Sequence, residues 1–248
     1  MRLAIDVGNT RVKWAFGQGG AQAVEHRGRD LRALLRHAWT DQPRPEAIHV
    51  ASVAGETVDE AIRLAAQDCW PGVSLTFLAT RAECCGVQVA YARPERFGVD
   101  RLAALVAAHA GSAGVPVVVV DAGTAVTVDA LDAQGRHLGG VIMPGLRLLS
   151  ESLLGGTAAV SAGMAFPALT AGEALQASTE AGVAAGARCM FVGGALHAIE
   201  VARREAGTGA HLYLTGGDAA ILVPSLGGGH VLRPDLVLEG VVLMAEAG

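Results

Sequence analysis

The sequence predicts an α/β protein built from two related lobes, and three observations support this fold class. Residues 3–17 and 117–131 each contain an apolar β-branched run, an Asp-x-Gly turn and a second alternating run, the pattern of a strand, a tight turn and an antiparallel strand. Aligning Asp6 with Asp121 also superposes the glycines two positions further on. After each repeat, short apolar runs alternate with amphipathic stretches, so the repeat is expected to mark two lobes of similar construction.

The other elements are predicted from apolar spacing and from turn residues. The small, turn-rich residues 111–116 mark the lobe boundary, which gives lobes at 1–115 and 116–248. The last segment, from Pro234, is expected to begin as a strand and to end as a helix. Helices are predicted over 30–38, 58–69, 98–109 and 179–204, and further strands over 48–52 and 73–78.

Composition limits the class of protein and its partners. The chain has 248 residues, of which 51% are hydrophobic and 17% charged, so it can bury a sizeable core. A net charge of -5 gives no basic footprint, and we expect no nucleic-acid partner. Asp6 comes too early for a signal peptide, and glycines and Pro167 interrupt the uncharged stretch 152–172, so we expect a cytoplasmic protein without a membrane span.

The cysteines do not predict a metal site. Cys69, Cys84, Cys85 and Cys189 show no C-x-x-C spacing with a nearby histidine, so they do not form a recognisable zinc motif. Adjacent Cys84 and Cys85 could form a strained vicinal disulfide. Reduced structural thiols are the expectation for a cytosolic protein.

The first repeat carries the motif DVGNT at residues 6–10, followed by Lys13. A carboxylate at a strand end, here Asp6, can hold a hydrated Mg²⁺. Gly8 lets the backbone approach a phosphate, the next two residues offer side-chain donors, and Lys13 can reach a phosphate as a point charge. Taken alone, these residues favour an ordinary hairpin with a turn-forming acid and glycine, because D-x-G is a common pattern.

The second repeat carries DAGTA at residues 121–125, and a third motif, TGGD at residues 215–218, follows an apolar strand. A strand that ends in Gly-Gly before a helix exposes backbone N–H groups and leaves flat space for a nucleotide. Two acid–glycine hairpins and this glycine turn predict a phosphate clamp. In this order the three motifs resemble the actin, Hsp70 and sugar-kinase superfamily, whose fold is a pair of ribonuclease-H-like lobes with an interlobe nucleotide cleft that closes on ATP.

Motifs along nearly the whole chain resemble one family of that superfamily, the type III pantothenate kinases. The resemblance implies transfer of the ATP γ-phosphate to the terminal hydroxyl of pantothenate, giving 4′-phosphopantothenate in the first step of coenzyme A synthesis. It also implies a homodimer that needs Mg²⁺ and a monovalent cation, K⁺ or NH₄⁺. The matching motifs are DVGNTRVK at 6–13, FGVDR at 97–101, DAGTA at 121–125, GGVIMPGL at 139–146, and ASTEAG and TGGDA further on.

The chemistry of the FGVDR motif agrees with a kinase. Asp100, at the start of a predicted helix, can orient and deprotonate the attacking hydroxyl as the catalytic base. Arg101 can bind the substrate carboxylate or steady the transferred phosphoryl group. The structural alternative is an N-capping aspartate next to a surface arginine.

By resemblance, further roles fall on individual residues of this sequence. Asp121 falls where the family binds its monovalent cation, and Asp6 where Mg²⁺ is held through the phosphates. ATP is expected to contact Asp6, Val7, Gly8, Asn9, Thr10, Arg11, Val12, Lys13 and Thr124. Pantothenate is expected to contact Tyr91, Gly98, Val99, Asp100, Arg101 and the partner subunit's Thr179.

The chain departs from the family pattern at two places, and two other functions remain open. Val126 stands where many relatives carry a second threonine, and residues 157–167 lack an expected Leu-Pro. Proteins of the same family shape are described as accessory factors for virulence-gene transcription; the presence of Asp100 and the lack of a basic domain or evident helix-turn-helix count against that role. Another small-molecule kinase, for sugar or acetate, is disfavoured by the short chain and the G-x-D-R element.

Overall fold

The computed structural model describes residues 1–17, 19–156 and 175–247, which form an α/β fold with two compact units. The first unit consists of Met1–Val115, Leu131–His137 and Asp235–Gly248. The second consists of Pro116–Ala130 and Leu138–Pro234. The predicted departure at residues 157–167 lies outside the described residues.

The elements are numbered along the chain. The strands are β1 (Leu3–Val7), β2 (Arg11–Phe16), β3 (Gln22–Glu25), β4 (Ala47–Ser52), β5 (Ser74–Phe77), β6 (Glu83–Cys84), β7 (Val87–Gln88), β8 (Val117–Ala122), β9 (Ala125–Leu131), β10 (His137–Pro144), β11 (His211–Thr215) and β12 (His230–Leu232). The helices are α1 (Leu31–Trp39), α2 (Glu56–Cys69), α3 (Val99–Gly111), α4 (Leu146–Gly156), α5 (Thr179–Ala206), α6 (Ala219–Leu222) and α7 (Leu236–Ala247).

The first unit is built on a five-stranded sheet in the order β3-β2-β1-β4-β5. Strand β1 pairs antiparallel with β2 and parallel with β4, as the first repeat predicted for the hairpin. A cluster of tryptophans fills the core beside this sheet: the ring of Trp39 lies 6.0 Å from that of Trp14 and 5.2 Å from that of Trp70, centroid to centroid. Buried aromatic rings of this size stabilise a core through both area and geometry.

The second unit has a five-stranded sheet in the order β10-β9-β8-β11-β12. Strand β8 takes the place that β1 has in the first sheet, with β9 as its hairpin neighbour and β11 parallel on its other side. The two repeats therefore lie at equivalent positions in sheets of the same strand order, which confirms the predicted fold class. Val118 and Val120 of β8 are buried against the apolar face of α5.

The C-terminal segment differs from its prediction. Residues Leu236–Ala247 are helical throughout, whereas a strand was expected at the start of this segment. Helix α7 packs against α3 and β1 and buries Leu236, Val241 and Met244, so its apolar residues surround most of the helix. A continuously apolar run of this kind cannot be distinguished from a buried strand by periodicity. This packing also groups α7 with the first unit, while the predicted lobes divided the chain at 115 and 116.

Among the residues that the structure describes, one helix, α5, is long and apolar enough to cross a membrane. Core helices of globular proteins often meet the same two criteria. Here the helix begins at the N-cap Ser178, whose hydroxyl accepts a hydrogen bond from Ala181 N at 3.2 Å. Its buried side chains, among them Phe191 and Ile199, belong to the core of the second unit.

The close contact between α3 and α7 yields a stability prediction. A Cβ atom added at Gly240 would lie 2.7 Å from the Cα of Ala103 and closer still to its carbonyl oxygen. Because backbone cannot yield as a side chain does, we expect Gly240→Ala to lower the free energy of unfolding by about 1–3 kcal/mol. A Cβ atom added at Gly193 in α5 would meet no atom within 4 Å, so Gly193→Ala should raise the free energy of unfolding by up to about 1 kcal/mol. Urea unfolding followed by circular dichroism measures both; equal stability of the two variants would contradict tight α3–α7 packing.

Candidate active site

The first acid–glycine turn closes the β1–β2 hairpin. Asp6 lies opposite Lys13 in the antiparallel register, and Gly8 N donates a hydrogen bond to Arg11 O at 3.0 Å. A Cβ at Gly8 would meet its nearest atom at 3.6 Å, an ordinary contact, so the turn itself does not require glycine. The missing side chain instead leaves the backbone open to a close neighbour such as a phosphate.

The hairpin residues divide between a buried face and the turn. The side chains of Val7 and Val12 are fully buried, so only their backbone atoms can meet a ligand. Asn9 is exposed, whereas Thr10 is half-buried. Within the predicted nucleotide-contacting set 6–13, the polar side chains thus gather at and beside the turn.

His26 supports this turn and was not predicted. Its Nε2 lies 2.9 Å from Gly8 O, and its backbone N–H donates to Thr10 O at 3.0 Å. The residue is buried, with 8% of its surface exposed. A contact across 16 to 18 positions leaves no local pattern in the sequence, so a scattered histidine gave no signal of this role.

Both basic side chains of the hairpin have carboxylate partners in the first unit. Lys13 Nζ lies 2.6 Å from Asp235 Oδ1, just before α7, and Arg11 Nη2 lies 2.8 Å from Glu25 Oε1. Lys13 is the more shielded of the two, with 25% of its side chain exposed. Asp235 was not among the predicted site residues. A phosphate that approached Lys13 would share this ammonium group with Asp235.

Asp100 lies in the first turn of α3 but does not cap the helix. The N-cap is Gly98, and the Asp100 Oδ1 atom accepts a hydrogen bond from Arg101 N at 2.7 Å. A Cβ at Gly98 would lie 2.5 Å from Asp100 Oδ1, so glycine at this position leaves room for the carboxylate. The alternative of an N-capping aspartate is therefore wrong for this helix. The partly buried carboxylate sits in the first turn of the helix, at the positive end of its dipole.

Arg101 is held by an aromatic shelf, defined here as Tyr91, Phe97 and His137. Its guanidinium carbon lies 4.3 Å from the Phe97 ring centroid, and Nη1 donates to Tyr91 Oη at 3.2 Å. The His137 ring lies 4.9 Å from Phe97 and 6.3 Å from Tyr91, centroid to centroid. Only 7% of Arg101 is exposed, so the alternative of a surface arginine is wrong.

The structure thus brings the predicted substrate residues of the first unit together. Gly98, Val99, Asp100 and Arg101 follow one another at the start of α3, and the hydroxyl of Tyr91 reaches Arg101. Sequence reasoning missed Phe97 as a stacking partner, although FGVDR includes it, and it also missed His137. A carboxylate and a fixed guanidinium at one helix start can accept a proton and bind an anion, respectively.

The second acid–glycine turn lies in the second unit. Asp121 is near the end of β8, in parallel register with Thr215 of β11. A Cβ at Gly216 would lie 2.5 Å from Asp121 Oδ1 and closer still to Ala122 O. These two oxygen atoms therefore pack against the face of Gly216 that would carry a side chain, and Ala122 O also accepts a hydrogen bond from Asp218 N at 2.9 Å.

Thr124 is fixed by a later segment of the chain. Its carbonyl accepts a hydrogen bond from Gly145 N at 3.0 Å, and a Cβ at Gly145 would lie 2.6 Å from the same oxygen. This contact explains the glycine of the PG turn between β10 and α4. Val126, the departure from the family pattern, is 1% exposed and belongs to the apolar core, where its methyl groups need no hydrogen-bond partner.

The remaining features of the second unit do not extend this site. Thr179, the first residue of α5, is exposed. Within the described ranges, no group of three or more His, Cys, Asp or Glu residues could hold a metal ion by itself. A separate cavity of about 300 Å³ beside α5 contains none of the predicted residues; Leu196, Ile199, Glu200, Arg203, Arg204, Thr208, Ser225 and Leu226 line it.

Comparison with known protein families identifies close relatives. The sequence model of the family described as Type III pantothenate kinase matches residues 2–200. A protein named type III pantothenate kinase from Alkalilimnicola ehrlichii is 38% identical and covers 98% of this chain and 97% of its own. Proteins of the same name from Halorhodospira halophila and Thiobacillus denitrificans are also 38% identical, over 98% and 100% of this chain and 96% and 97% of their own.

Solved structures agree with the fold. A conserved putative Baf family transcriptional activator from Campylobacter jejuni has a TM-score of 0.59 at 20% identity and covers 98% of this chain and 97% of its own. The archaeal actin homologue Ta0583 has a TM-score of 0.54 at 14% identity and covers 100% and 99%. At these identities the likeness establishes the fold alone, an actin-like one. The family match and the three relatives reach further: this chain belongs to the type III pantothenate kinase family.

Proposed function

We propose that this protein phosphorylates pantothenate with ATP, forming 4′-phosphopantothenate and ADP as the first step of coenzyme A synthesis. The observation that carries the proposal is the pairing of Asp100 with a buried Arg101 at the start of α3. It supplies a proton acceptor and an anion-binding group within one helical turn. Relatives that bear the name type III pantothenate kinase align with nearly the whole chain, which supports the same activity.

Asp100 is the proposed catalytic base. It accepts the proton of the substrate hydroxyl as the oxygen attacks the γ-phosphorus, and ADP leaves with the electrons of the broken P–O bond. Phosphoryl transfer asks mainly for alignment and charge neutralisation, so one positioned carboxylate suffices as the base. Its contact with Arg101 N fixes the carboxylate before the substrate arrives.

Arg101 is proposed to bind the carboxylate of pantothenate. A guanidinium can make two parallel hydrogen bonds to a carboxylate, and Phe97 and Tyr91 restrict its rotation. Because the arginine is buried, its pairing with an anion is less screened by water than a surface pair would be. Tyr91, Gly98 and Val99 complete the substrate-binding set in this proposal.

ATP is proposed to meet the 6–13 hairpin and Thr124. His26 holds the turn through Gly8 O, which keeps its backbone ready for a phosphate. Asp6 would hold Mg²⁺ through the phosphates and water, because a carboxylate at a strand end can bind a hydrated Mg²⁺. Asp121 would contribute its carboxylate to a site for a monovalent cation, K⁺ or NH₄⁺. The cations, when bound, supply positive charge that neutralises the phosphates.

The rival functions receive less support. A transcriptional accessory role is supported by the name of one solved structure, the putative transcriptional activator. At 20% identity, the likeness to that structure establishes the fold alone. A net charge of -5 also disfavours nucleic acid as a partner.

We further propose that the protein is cytoplasmic and has no membrane partner, which cell fractionation would test. We also propose that its two lobes, at 1–115 and 116–248, are ribonuclease-H-like.

The function is tested first by ADP release coupled to a detectable reaction, with pantothenate, sugars and acetate as acceptors in Mg²⁺ and K⁺. We expect turnover with pantothenate alone. Asp100→Asn should lower this turnover by about 10² to 10⁴ fold, because the proton acceptor is lost while the shape is kept. ATP binding, measured by titration, should stay within a few-fold of the original protein.

Asp30→Asn is the matched control, because Asp30 caps α1 through a hydrogen bond to Ala33 N and Asn caps helices about as well. It should leave turnover unchanged. Near-normal turnover in Asp100→Asn would assign the base elsewhere, with Asp6 the next candidate. Turnover with sugar or acetate in place of pantothenate would overturn the substrate assignment.

The proposed cation site predicts a dependence on the monovalent salt. Activity at constant ionic strength should rise strongly when Na⁺ is replaced by K⁺ or NH₄⁺, because Asp121 falls where the type III pantothenate kinase family binds its monovalent cation. Asp121→Asn should weaken this dependence, as removal of the carboxylate lowers the attraction for a cation. Equal rates in the three salts would remove the cation from the proposal.

We also propose a homodimer in which the partner subunit's Thr179 contacts pantothenate. Sedimentation should then give twice the chain mass of 25.2 kDa. A sharper test mixes Asp100→Asn with Thr179→Ala and allows the subunits to exchange. If Thr179 acts across the dimer, each mixed dimer regains one intact site and activity rises above that of either variant. Activity that stays at the average of the two variants would place Thr179 in its own subunit's site.

A further inference from the structure

The hairpin of β6 and β7 has an unusual residue at its turn. Glu83 pairs with Gln88 and Cys84 with Val87, which leaves Cys85 and Gly86 as a two-residue connection. Both have positive φ angles, +50° and +81°, as a type I′ turn requires. Asparagine, aspartate or glycine usually occupies the first of these positions, and a cysteine in the left-handed region is uncommon.

This turn places two sulfur atoms side by side. Consecutive side chains of an extended strand point to opposite faces, which would keep neighbouring thiols apart. Here the left-handed conformation of Cys85 accompanies an Sγ–Sγ distance of 3.7 Å to Cys84. Cys85 is exposed, and its Sγ also lies 3.7 Å from the carbonyl oxygen of Leu243 in α7. Strain at a solvent-facing pair of reactive groups points to a chemical role.

The two thiols differ in reactivity. Burial, together with a hydrogen bond to Cys85 and charge repulsion from it, raises the pKa of the Cys84 thiol to about 11. Cys84 is therefore a protonated thiol at neutral pH, whereas Cys85 is the sulfur that a reagent in solution meets. When Cys85 is bonded to another sulfur, it carries no charge. It then no longer raises the pKa of Cys84 through charge repulsion.

We propose that Cys84 and Cys85 form a thiol–disulfide exchange site for low-molecular-weight disulfides, RSSR. The Cys85 thiolate attacks one sulfur of RSSR, forms a mixed disulfide and releases RS⁻. The Cys84 thiol then loses its proton and attacks Cys85 Sγ, which closes the Cys84–Cys85 disulfide and releases the second RS⁻. The dithiol gives two electrons and two protons, and RSSR becomes two RSH.

The exchange is readily reversed. A disulfide between adjacent residues closes a small ring that departs from the favoured spacing of the two Cα atoms, and such strained bonds are more easily reduced. The other cysteines cannot act in this way, because Cys69 and Cys189 each stand alone in their helices and can form only mixed disulfides. The pair is thus the site in the chain at which a neighbouring thiol can resolve an adduct.

The β6–β7 hairpin contacts the segment that leads to His137 of the aromatic shelf, so oxidation of the pair can affect the shelf. Gln88 N, three residues from Cys85, donates to Gly135 O at 2.9 Å, and Gln88 also bridges Arg136, which precedes His137 of the shelf. A change in the turn therefore moves the strand that borders this segment. Resting on the proposed function, the expected consequence is a higher KM for pantothenate in the oxidised protein, with turnover at saturation retained.

The test uses the full chain with Cys69→Ser and Cys189→Ser, so that only the pair reacts. After incubation with oxidised glutathione, intact mass and peptide mapping should show the loss of two hydrogens at residues 84–85, restored by dithiothreitol. Adding Cys84→Ser should trap one glutathione on Cys85. Adding Cys85→Asn, which suits the turn and keeps the fold, should leave Cys84 largely unmodified.

Three outcomes would overturn the exchange site. The first is no mass change in the protein with Cys69→Ser and Cys189→Ser, and the second is a glutathione adduct on that protein that persists without ring closure. The third is equal amounts of adduct on the two variants that keep only Cys84 or only Cys85. Circular dichroism confirms that each variant is folded. The mass readout does not depend on kinase activity, so failure of the proposed function and failure of the exchange site are distinguishable. An unchanged KM in fully oxidised protein would remove the link to the aromatic shelf.

Discussion

The β8–β9 turn is in backbone contact with glycines from two later parts of the chain, and the position of the second acid–glycine turn depends on these contacts. Gly145 lies against Thr124, and Gly216 lies against Asp121 and Ala122, in both cases too closely for a side chain. Strand order makes this possible, because β10 and β11 belong to the sheet that contains β8 and β9. The Asp121 carboxylate thus lies against packed backbone.

The two repeats share a sheet order but not a means of support. In the first unit a side chain, His26, contacts the turn through Gly8 O. In the second, the corresponding turn is held by glycine backbone. The common part is therefore limited to the strands and the acid–glycine turn. What surrounds each turn has diverged, as expected if the two turns hold different parts of a nucleotide and its cations.

Sequence alone predicted the local features well. Alternating apolar runs with acid–glycine turns identified the β1–β2 and β8–β9 hairpins, and apolar spacing identified α1, α2, α3 and α5. It was wrong at α7, whose apolar residues are buried on most sides and so lack a helical period. The contacts of His26 and Asp235 could not be predicted, because each joins residues that are not neighbours in the chain, and the burial of Arg101 depends on how the aromatic shelf packs around it.

The tryptophan cluster gives the protein an optical asymmetry. All 3 tryptophans of the chain, Trp14, Trp39 and Trp70, lie in the first unit, whereas the second contains Tyr213 as its larger near-ultraviolet chromophore. Intrinsic emission therefore reports the melting of the first unit almost alone. Far-ultraviolet dichroism, by contrast, reports both units, because each contains several helices and the second adds the 28 residues of α5. Recorded together, the two signals would resolve whether the units lose their structure in one transition or in sequence.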